Sequence, residues 1–415
     1  MIEDYFCAPK TLQRLRAGLT GPHVDAFAGS LEQQGYAPAS TVRYLRAAAH
    51  LGRFVQRRGA DLADIDASMM EEFARHLSHC RCPRAYGGRT SFHLRSGVRL
   101  FHQYLIRCGI CTSQSIPDNL SDEPAVVMAF RDWFRTHRGA TEPTLRIYSR
   151  GASELIQALG EDVSQWCARR LRAFLLDHAS KRGAETTQRL ITSLRAFLRY
   201  LGFIGAIRDD LALAIPAIAH WRLATLPRCL LPEELQRLIA ACDGTSANRL
   251  RDRAIILLLS RLGLRAGDVA QMRLIDIDWK TGTLQVIGKG RYQVRLPLPQ
   301  DVGDAVLHYL ECRPRVDHTD RIFLRTIAPY RAFASGDGVS SVVKRALERA
   351  GIKAAAKGAH LLRHTAATEM LRHGVPLDQV GLVLRHRSID MTAYYAKVDV
   401  TLLKQMAQPW TGVQS

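Results

Sequence analysis

The chain has 415 residues, which is too long for one compact core and favours two or three domains. Lysine and arginine number 58 against 39 aspartate and glutamate, so the net charge is +19 and the pI is about 9.9. This excess is spread along the chain, which excludes a single basic tail as its source. It predicts folded basic surfaces and a polyanionic partner, most simply nucleic acid.

The first residues carry no targeting pattern. Residues 1–6 are acidic and lack the positively charged stretch and apolar stretch of a secretory signal. The most apolar run, 254–259, is far too short to span a bilayer and indicates a buried helix. We therefore expect a cytoplasmic protein without a membrane partner.

Nine cysteines, an odd number scattered over a long chain, do not indicate a disulfide framework. Cys80 and Cys82, with His76 and His79 before them and a CxxC pair at 108–111, resemble two halves of a zinc site. CxC followed by CxxC is not a standard ligand spacing, and the second pair follows a patterned helix. Reduced thiols without metal or cofactor are the expectation, with zinc as the alternative.

Two segments, about 20–112 and 125–207, have apolar residues at helical spacing. Both end on the pattern Φ-Arg-x-Phe-x-x-Tyr-Leu, where Φ is apolar: VRLFHQYL at 98–105 and LRAFLRYL at 194–201. A glycine follows each within a few residues. Because several landmarks recur in the same order, two tandem copies of one helical domain are favoured over a chance likeness of two bundles.

Turn-forming residues mark the domain boundaries. Residues 116–124 contain two prolines and several polar residues, and a second proline-bearing joint lies at 215–227. We expect domains at 1–115, 125–215 and 227–415.

The third domain mixes helices with one hairpin. Gly263 is placed to end a helix in the left-handed conformation, and the glycines at 288 and 290 permit a tight turn between strands. The predicted elements are helices at 251–262 and 266–273, strands at 283–287 and 292–298, and helices from 339 onward. The predicted fold is mainly α and multidomain: two helical domains, then a mostly helical α+β domain with a small antiparallel sheet.

Four short segments of the third domain carry Arg, Lys, His and Tyr in a fixed order. They are LGLRAGD at 262–268, IGKG at 287–290, HLLRHT at 360–365, and LRHRS at 384–388 followed by Tyr394 and Tyr395. Together they resemble the catalytic boxes of the tyrosine recombinases, DNA strand-exchange enzymes of the phage-integrase type. One such box arises by chance, whereas four in order are specific. The likeness is close over about 227–400. The second domain is similar to the family's core-binding domain, and the first has no required counterpart.

The resemblance implies a catalytic set and a mechanism that needs neither metal nor ATP. The set is Arg265, Lys289, His360, Arg363, His386 and Tyr395. By resemblance, the two arginines bind the nonbridging phosphate oxygens, where planar, permanently charged guanidiniums are well suited. The lysine protonates the departing 5′-oxygen, the histidines assist proton transfer, and the tyrosine forms a 3′-phosphotyrosyl link.

Spacing adds two arguments of its own. His360 and Arg363 lie three residues apart and share a helix face. Adjacent tyrosines point about 100° apart on a helix, so only one can face the phosphate. Tyr395 is chosen over Tyr394 because it lies nine residues after His386, which is the family spacing.

Two positions depart from the family pattern. Arg385 stands where glycine is usual, directly before His386, so this departure affects how the turn places that histidine. Asp268 stands where glutamate is common. Residues 399–406 form a short amphipathic stretch that, in the family, docks on a neighbouring protomer; packing on its own domain is an equal alternative.

The resulting expectation is a site-specific recombinase or integrase of a bacterial mobile element. It would grip duplex DNA between the catalytic and core-binding domains and act as a homotetramer, with related recombinases as possible partners. Alternatives are a type IB topoisomerase, which the two helical domains and docking helix disfavour, and a catalytically inactive DNA-binding protein, which the intact residue set disfavours.

Overall fold

The computed structural model describes residues 1–80, 82, 91–111, 123–207, 209–216, 228–287, 293–316, 319–354, 356–386 and 389–395. The chain divides into two compact units, Met1–Ser113 with Leu223–Ser415, and Gln114–Arg222. In the described ranges, no helix combines the length and the apolar character needed to cross a membrane.

The N-terminal domain is a helical bundle. Its helices are α1 (Pro9–Ala17), α2 (Val24–Gln33), α3 (Pro38–Arg57), α4 (Ala67–Ser78) and α5 (Ser91–Arg107). Proline at the first position begins α1 and α3, where its missing N–H costs nothing. Helix α1 lies before the predicted start at about residue 20. In the core, Phe27 contacts Phe101 and Tyr104, with ring centroids 5.1 and 5.4 Å apart.

The central domain repeats this arrangement. Its helices are α6 (Ala125–Arg138), α7 (Glu142–Leu159), α8 (Ala168–Lys181) and α9 (Ala184–Phe203). Phe130 of α6 contacts Phe197 and Tyr200 of α9 at 5.1 and 5.5 Å, as Phe27 contacts the aromatic pair of α5. In both domains a short 3₁₀ turn follows an aspartate. Leu62–Asp64 joins α3 to α4 in the N-terminal domain, and Val163–Gln165 joins α7 to α8 in the central domain. The shared sequence pattern thus has a shared packing role in the two domains.

The third domain surrounds one apolar helix with helices and a small sheet. Its elements are α10 (Pro232–Ala240), α11 (Ala247–Arg261), α12 (Ala266–Gln271), β1 (Ile277–Asp278), β2 (Thr283–Ile287), β3 (Gln293–Pro297), α13 (Gln300–Cys312), α14 (Gly336–Arg349), α15 (Ala359–Arg372), α16 (Leu377–Val383) and α17 (Ile389–Ala393). The sheet is antiparallel in the order β1-β2-β3, with Val286 opposite Val294. The mostly helical fold with a small antiparallel sheet is confirmed.

Helix α11 is buried on nearly all sides, from Ala254 to Ser260, as expected of a helix without a polar face. A charge cluster lies at its N-terminal half. Asp252 is 2% exposed and pairs with Arg251 at 2.6 Å and with Arg349 of α14 at 3.0 Å. Arg251 also donates to the carbonyl of Leu324 at 3.1 Å. The cluster joins α11 to α14 and to a neighbouring loop.

Several predictions lie outside the described residues. These are the turn holding Lys289, most of the linker at 116–124, the joint after residue 216, and the amphipathic stretch at 399–406.

Candidate active site

Helix α15 carries His360, Arg363 and His364 on one face, at spacings of three and four residues. The side chain of Arg363 is buried and donates to two backbone carbonyls, those of Gly263 and Leu384. One carbonyl follows α11 and the other follows α16, so this guanidinium links three segments. Burial, and then the charge of Arg265, lowers the pKa of Arg363 to about 10. The group is still charged near neutral pH.

The turn between α11 and α12 places Arg265. Gly263 has φ of +57°, and a Cβ there would lie 2.5 Å from Leu384 Cδ2, so both the backbone conformation and the limited space favour glycine. Arg265 is the N-cap residue of α12, and its Nη2 donates to the carbonyl of Arg385 at 2.9 Å. Its backbone N–H donates to Asp268 Oδ2 at 3.2 Å. The predicted left-handed cap at Gly263 is confirmed.

The two positions that depart from the family pattern contact each other. Arg385 Nη2 and Asp268 Oδ2 are 2.6 Å apart, and the two side chains are 6% and 11% exposed. Arg385 also has φ of +55°, the left-handed conformation that favours glycine. Its backbone therefore adopts the shape a glycine would adopt, while its side chain covers the carboxylate of Asp268.

Tyr395 lies inside the cluster and is only 2% exposed. Its hydroxyl is 2.7 Å from His364 Nδ1, and its ring lies parallel to that of His386, with an interplanar angle of 5° and centroids 6.1 Å apart. His386 Nδ1 is held by Thr392 Oγ1 at 2.8 Å. Burial raises the pKa of Tyr395 to about 12, although the charge of Arg363 acts in the opposite direction.

Two histidines of the site, His364 and His386, have pKa values that keep them neutral near pH 7. Burial, followed by the charges of neighbouring histidine and arginine residues, lowers the pKa of His364 to about 4 and that of His386 to about 4. His360 has an exposed side chain, and its ring centroid lies 6.2 Å from that of His364. A neutral imidazole beside a phenol can accept its proton.

The structure brings five of the six predicted site residues into one region: Arg265, His360, Arg363, His386 and Tyr395. Lys289, the sixth, lies outside the described residues. His364 was not among the predicted site residues. The available signal was its spacing of four from His360, which gives the two side chains one helix face.

Both tyrosines contact His364. Tyr394 lies beside it with ring centroids 5.8 Å apart, whereas the hydroxyl of Tyr395 is hydrogen-bonded to its Nδ1. The site therefore combines two guanidiniums, three imidazoles and a phenol, with Asp268 in an ion pair. This donor set suits a phosphate diester better than a metal ion.

The chain is similar to known recombinases and integrases. The phage integrase family matches residues 228–401. The putative integrase/recombinase y4rA of Sinorhizobium fredii is 34% identical over 407 residues, covering 97% of both chains. Tyrosine recombinase XerA of Pyrococcus furiosus is 28% identical over 65% of this chain and 88% of its own.

Two solved structures share the fold. The XerH site-specific recombinase bound to a palindromic difH substrate, in a post-cleavage complex, has a TM-score of 0.55 and 18% identity, over 69% of this chain and 85% of its own. A lambda integrase dimer bound to a COC′ core site has a TM-score of 0.51 and 18% identity, over 69% of this chain and 98% of its own.

Proposed function

Because this chain belongs to the tyrosine recombinase family, we propose that Tyr395 attacks a phosphodiester of duplex DNA and forms a 3′-phosphotyrosyl link. The bond from the tyrosine oxygen to phosphorus forms as the bond from phosphorus to the 5′-oxygen breaks. A 5′-hydroxyl from a second duplex then attacks the same phosphorus and releases the tyrosine. Each step exchanges one phosphodiester for another, so no external energy source is needed.

The observation that carries the proposal is the hydrogen bond between the Tyr395 hydroxyl and His364 Nδ1 at 2.7 Å. A neutral imidazole in this position can take the phenolic proton as the oxygen attacks. In this proposal the charges of Arg265 and Arg363 stabilise the phosphate oxygens, and His360 and His386 donate to the phosphate. Lys289 protonates the leaving 5′-oxygen.

The proposed partner is double-stranded DNA. The net charge of +19 supports it, as do relatives of this fold whose structures contain DNA. We further propose that four protomers act together on two DNA sites, and that the reaction integrates, excises or transposes a mobile element. The relatives named as integrases support this role.

Covalent trapping tests the chemistry. The full chain would first select bound duplexes from a random-sequence pool, and the enriched duplex would be rebuilt with a nick beside each candidate phosphate in turn. The free fragment then diffuses away and the covalent complex accumulates. We expect a denaturant-resistant adduct that maps to Tyr395. Tyr395→Phe should form none, and the matched control Tyr394→Phe should keep it. An adduct with Tyr395→Phe, or none with the unmodified chain, overturns the proposal.

The proposed role of Lys289 has its own test. Lys289→Ala should slow cleavage of an ordinary phosphodiester by about 10²- to 10⁴-fold, the usual range for losing a general acid. A substrate with sulfur in place of the 5′-bridging oxygen needs no such acid, so cleavage should recover. If the sulfur substrate is slowed equally, the general acid is another group.

A further inference from the structure

Four metal-ligand atoms converge in the N-terminal domain, in a region that the proposed reaction does not use. His50 belongs to α3 and His76 to α4, while Cys80 and Cys82 follow α4. The two imidazole Nε2 atoms and the two Sγ atoms all lie within 4.8 Å of one another. Three short segments of the chain thus supply two nitrogen and two sulfur ligands.

Three of the six separations are close to the edges of a zinc tetrahedron, and the other three are within 4.8 Å. Zn–N bonds of about 2.0–2.1 Å and Zn–S bonds of about 2.3 Å require N···N edges of about 3.3 Å and N···S edges of about 3.6 Å. The Nε2 atoms of His50 and His76 are 3.3 Å apart. Cys80 Sγ lies 3.4 Å from His50 Nε2, and Cys82 Sγ lies 3.6 Å from His76 Nε2.

Aromatic packing orients the two histidines. The rings of Phe73 and His50 pack edge to face, with centroids 5.2 Å apart. The ring centroids of Phe54 and His76 are also 5.2 Å apart. His50 is 2% exposed, so it cannot turn away into solvent. One buried imidazole, that of His50, and one half-buried imidazole, that of His76, therefore point at the sulfur atoms before any ion is bound.

Hydrogen bonds to sulfur complete the surroundings. The backbone N–H of Cys82 donates to Cys80 Sγ at 3.3 Å, and Arg57 Nη1 lies 3.7 Å from Cys82 Sγ. Such donors favour the thiolate, which is the form that binds metal.

The central domain has a different cluster between its helices α7 and α8. There Glu154 of α7 pairs with His178 of α8 at 3.6 Å and with Arg182, directly after α8, also at 3.6 Å. Ionic contacts therefore join the second and third helices of that repeat. In the N-terminal copy, histidine and cysteine side chains occupy this junction.

We propose that His50, His76, Cys80 and Cys82 bind one Zn²⁺ ion in a structural site. Two thiol protons are released on binding, and the two thiolates balance the charge of the ion. All four coordination positions come from the protein, so the site has no open position for catalysis. The ion ties the end of α4 and the segment after it to α3.

The zinc alternative considered from the sequence joined Cys80 and Cys82 to the cysteines at 108–111, and the structure does not support that second pair as ligands. Cys111 is buried and its Sγ donates to the carbonyl of Leu62 at 3.0 Å, while Cys108 is exposed. His50 lies 26 residues before His76, and only the packing of α3 against α4 brings it to the cysteines.

Metal analysis of the full chain tests the proposal directly. Purified without chelator and without a histidine tag, the protein should contain about one zinc per chain. Replacement by Co²⁺ should give the intense visible bands of a tetrahedral cobalt site and a thiolate charge-transfer band in the near ultraviolet. Protein without zinc that also shows no such bands on titration with Co²⁺ overturns the proposal, as does a disulfide between Cys80 and Cys82 in the freshly purified protein.

Variants assign the ligands. Cys80→Ser with Cys82→Ser should lose the zinc and the charge-transfer band, whereas the matched control Cys108→Ser should keep both. Zinc retained by the double variant overturns the assignment. If the double variant does not fold, His76→Cys decides the question: three thiolates should bind Co²⁺ with a stronger charge-transfer band, and an unchanged band counts against the site.

Discussion

The guanidinium of Arg385 and the carboxylate of Asp268 form a nearly buried ion pair at 2.6 Å, although the two residues lie 117 positions apart. Asp268 also accepts the backbone N–H of Arg265, and Arg265 donates to the carbonyl of Arg385. The three residues thus close a loop of contacts at one edge of the candidate site. The carbonyl of Arg385 contacts Arg265 directly, and its side chain contacts Arg265 through Asp268.

Substitution of Arg385 should separate the ion pair from the backbone strain. Arg385→Ala and Arg385→Gly both lose the ion pair, but only glycine relieves the left-handed conformation, which costs an L-residue about 1–2 kcal/mol. The glycine variant should therefore be more stable than the alanine variant by about 1 kcal/mol. Urea unfolding of the full chain measures this difference. Adding Asp268→Asn to either variant removes the uncompensated charge and should recover stability; no recovery would mean that the ion pair has little effect.

Replacement of His364 should slow the chemical step without weakening DNA binding. His364→Phe keeps a ring beside Tyr395 but removes the proton acceptor, so adduct formation should fall by about 10²-fold or more. Rates on the nicked duplex, together with binding measured by gel shift, separate the two effects. Leu382→Ala, at an exposed position of α16, is the control. Unchanged cleavage by His364→Phe would exclude this histidine from proton transfer.

The free energy of unfolding should fall as the pH is lowered below the pKa of free histidine. His364 and His386 have folded pKa values near 4, below the ordinary 6.5. Because the unfolded chain binds these protons more readily, stability is complete above about pH 6.5 and is lost progressively towards pH 4. Each histidine contributes at most about 1.4 kcal/mol per pH unit. Urea unfolding across this range should show that the free energy of unfolding changes less steeply with pH in His364→Gln than in the unmodified chain. An equal slope would contradict the lowered pKa of His364.

Removal of a carboxylate should destabilise the protein far more in the buried cluster around Asp252 than in an exposed ion pair. Asp252→Ala leaves Arg251 and Arg349 without their shared carboxylate, and breaking a buried pair in this way costs about 3–5 kcal/mol. Asp301 pairs with Arg261 at 3.1 Å, with side chains 47% and 39% exposed, so Asp301→Ala should cost less than about 1 kcal/mol. Denaturant unfolding of the two variants compares them. Equal losses of stability in the two variants would show that burial does not determine how much an ion pair stabilises this protein.

The two helical repeats should respond separately to core mutations. Phe197→Ala removes a fully buried ring from the central domain, at a cost of about 3–5 kcal/mol. Phe101→Ala does the same in the N-terminal domain. Calorimetry should show a different transition shifted in each variant, and limited proteolysis should open a different domain. A shift of all transitions together would contradict independent folding of the two repeats.

The sequence predicted best those parts of the fold that depend on local pattern. Gly263 ends a helix as expected, and β2 at Thr283–Ile287 has its predicted bounds. Helix α13 was not predicted, and β1 has only two residues, which is too short for alternation to be visible. Helix α1 also lay outside the predicted region.

Contacts between distant segments could not be read from the sequence. Spacing within α15 grouped His360 with Arg363, but the hydrogen bond from Tyr395 to His364 spans 31 residues and depends on how α15 and α17 pack. The pair of Arg385 and Asp268 is similar, because each residue alone was only a departure from a pattern. Their compensation becomes visible when α12 and the turn after α16 are placed together.

If Tyr395 is the nucleophile, as proposed, the burial of its hydroxyl limits how often the phenolate forms before DNA binds. With a pKa of about 12, about one molecule in 10⁵ carries the phenolate at pH 7, against one in 10³ for a free tyrosine. In the proposed reaction, proton transfer to His364 must therefore accompany the attack on DNA, because little phenolate forms beforehand. Cleavage would then begin only when the backbone of bound DNA changes the surroundings of the phenol. Binding of the substrate would thus be a condition for its own cleavage.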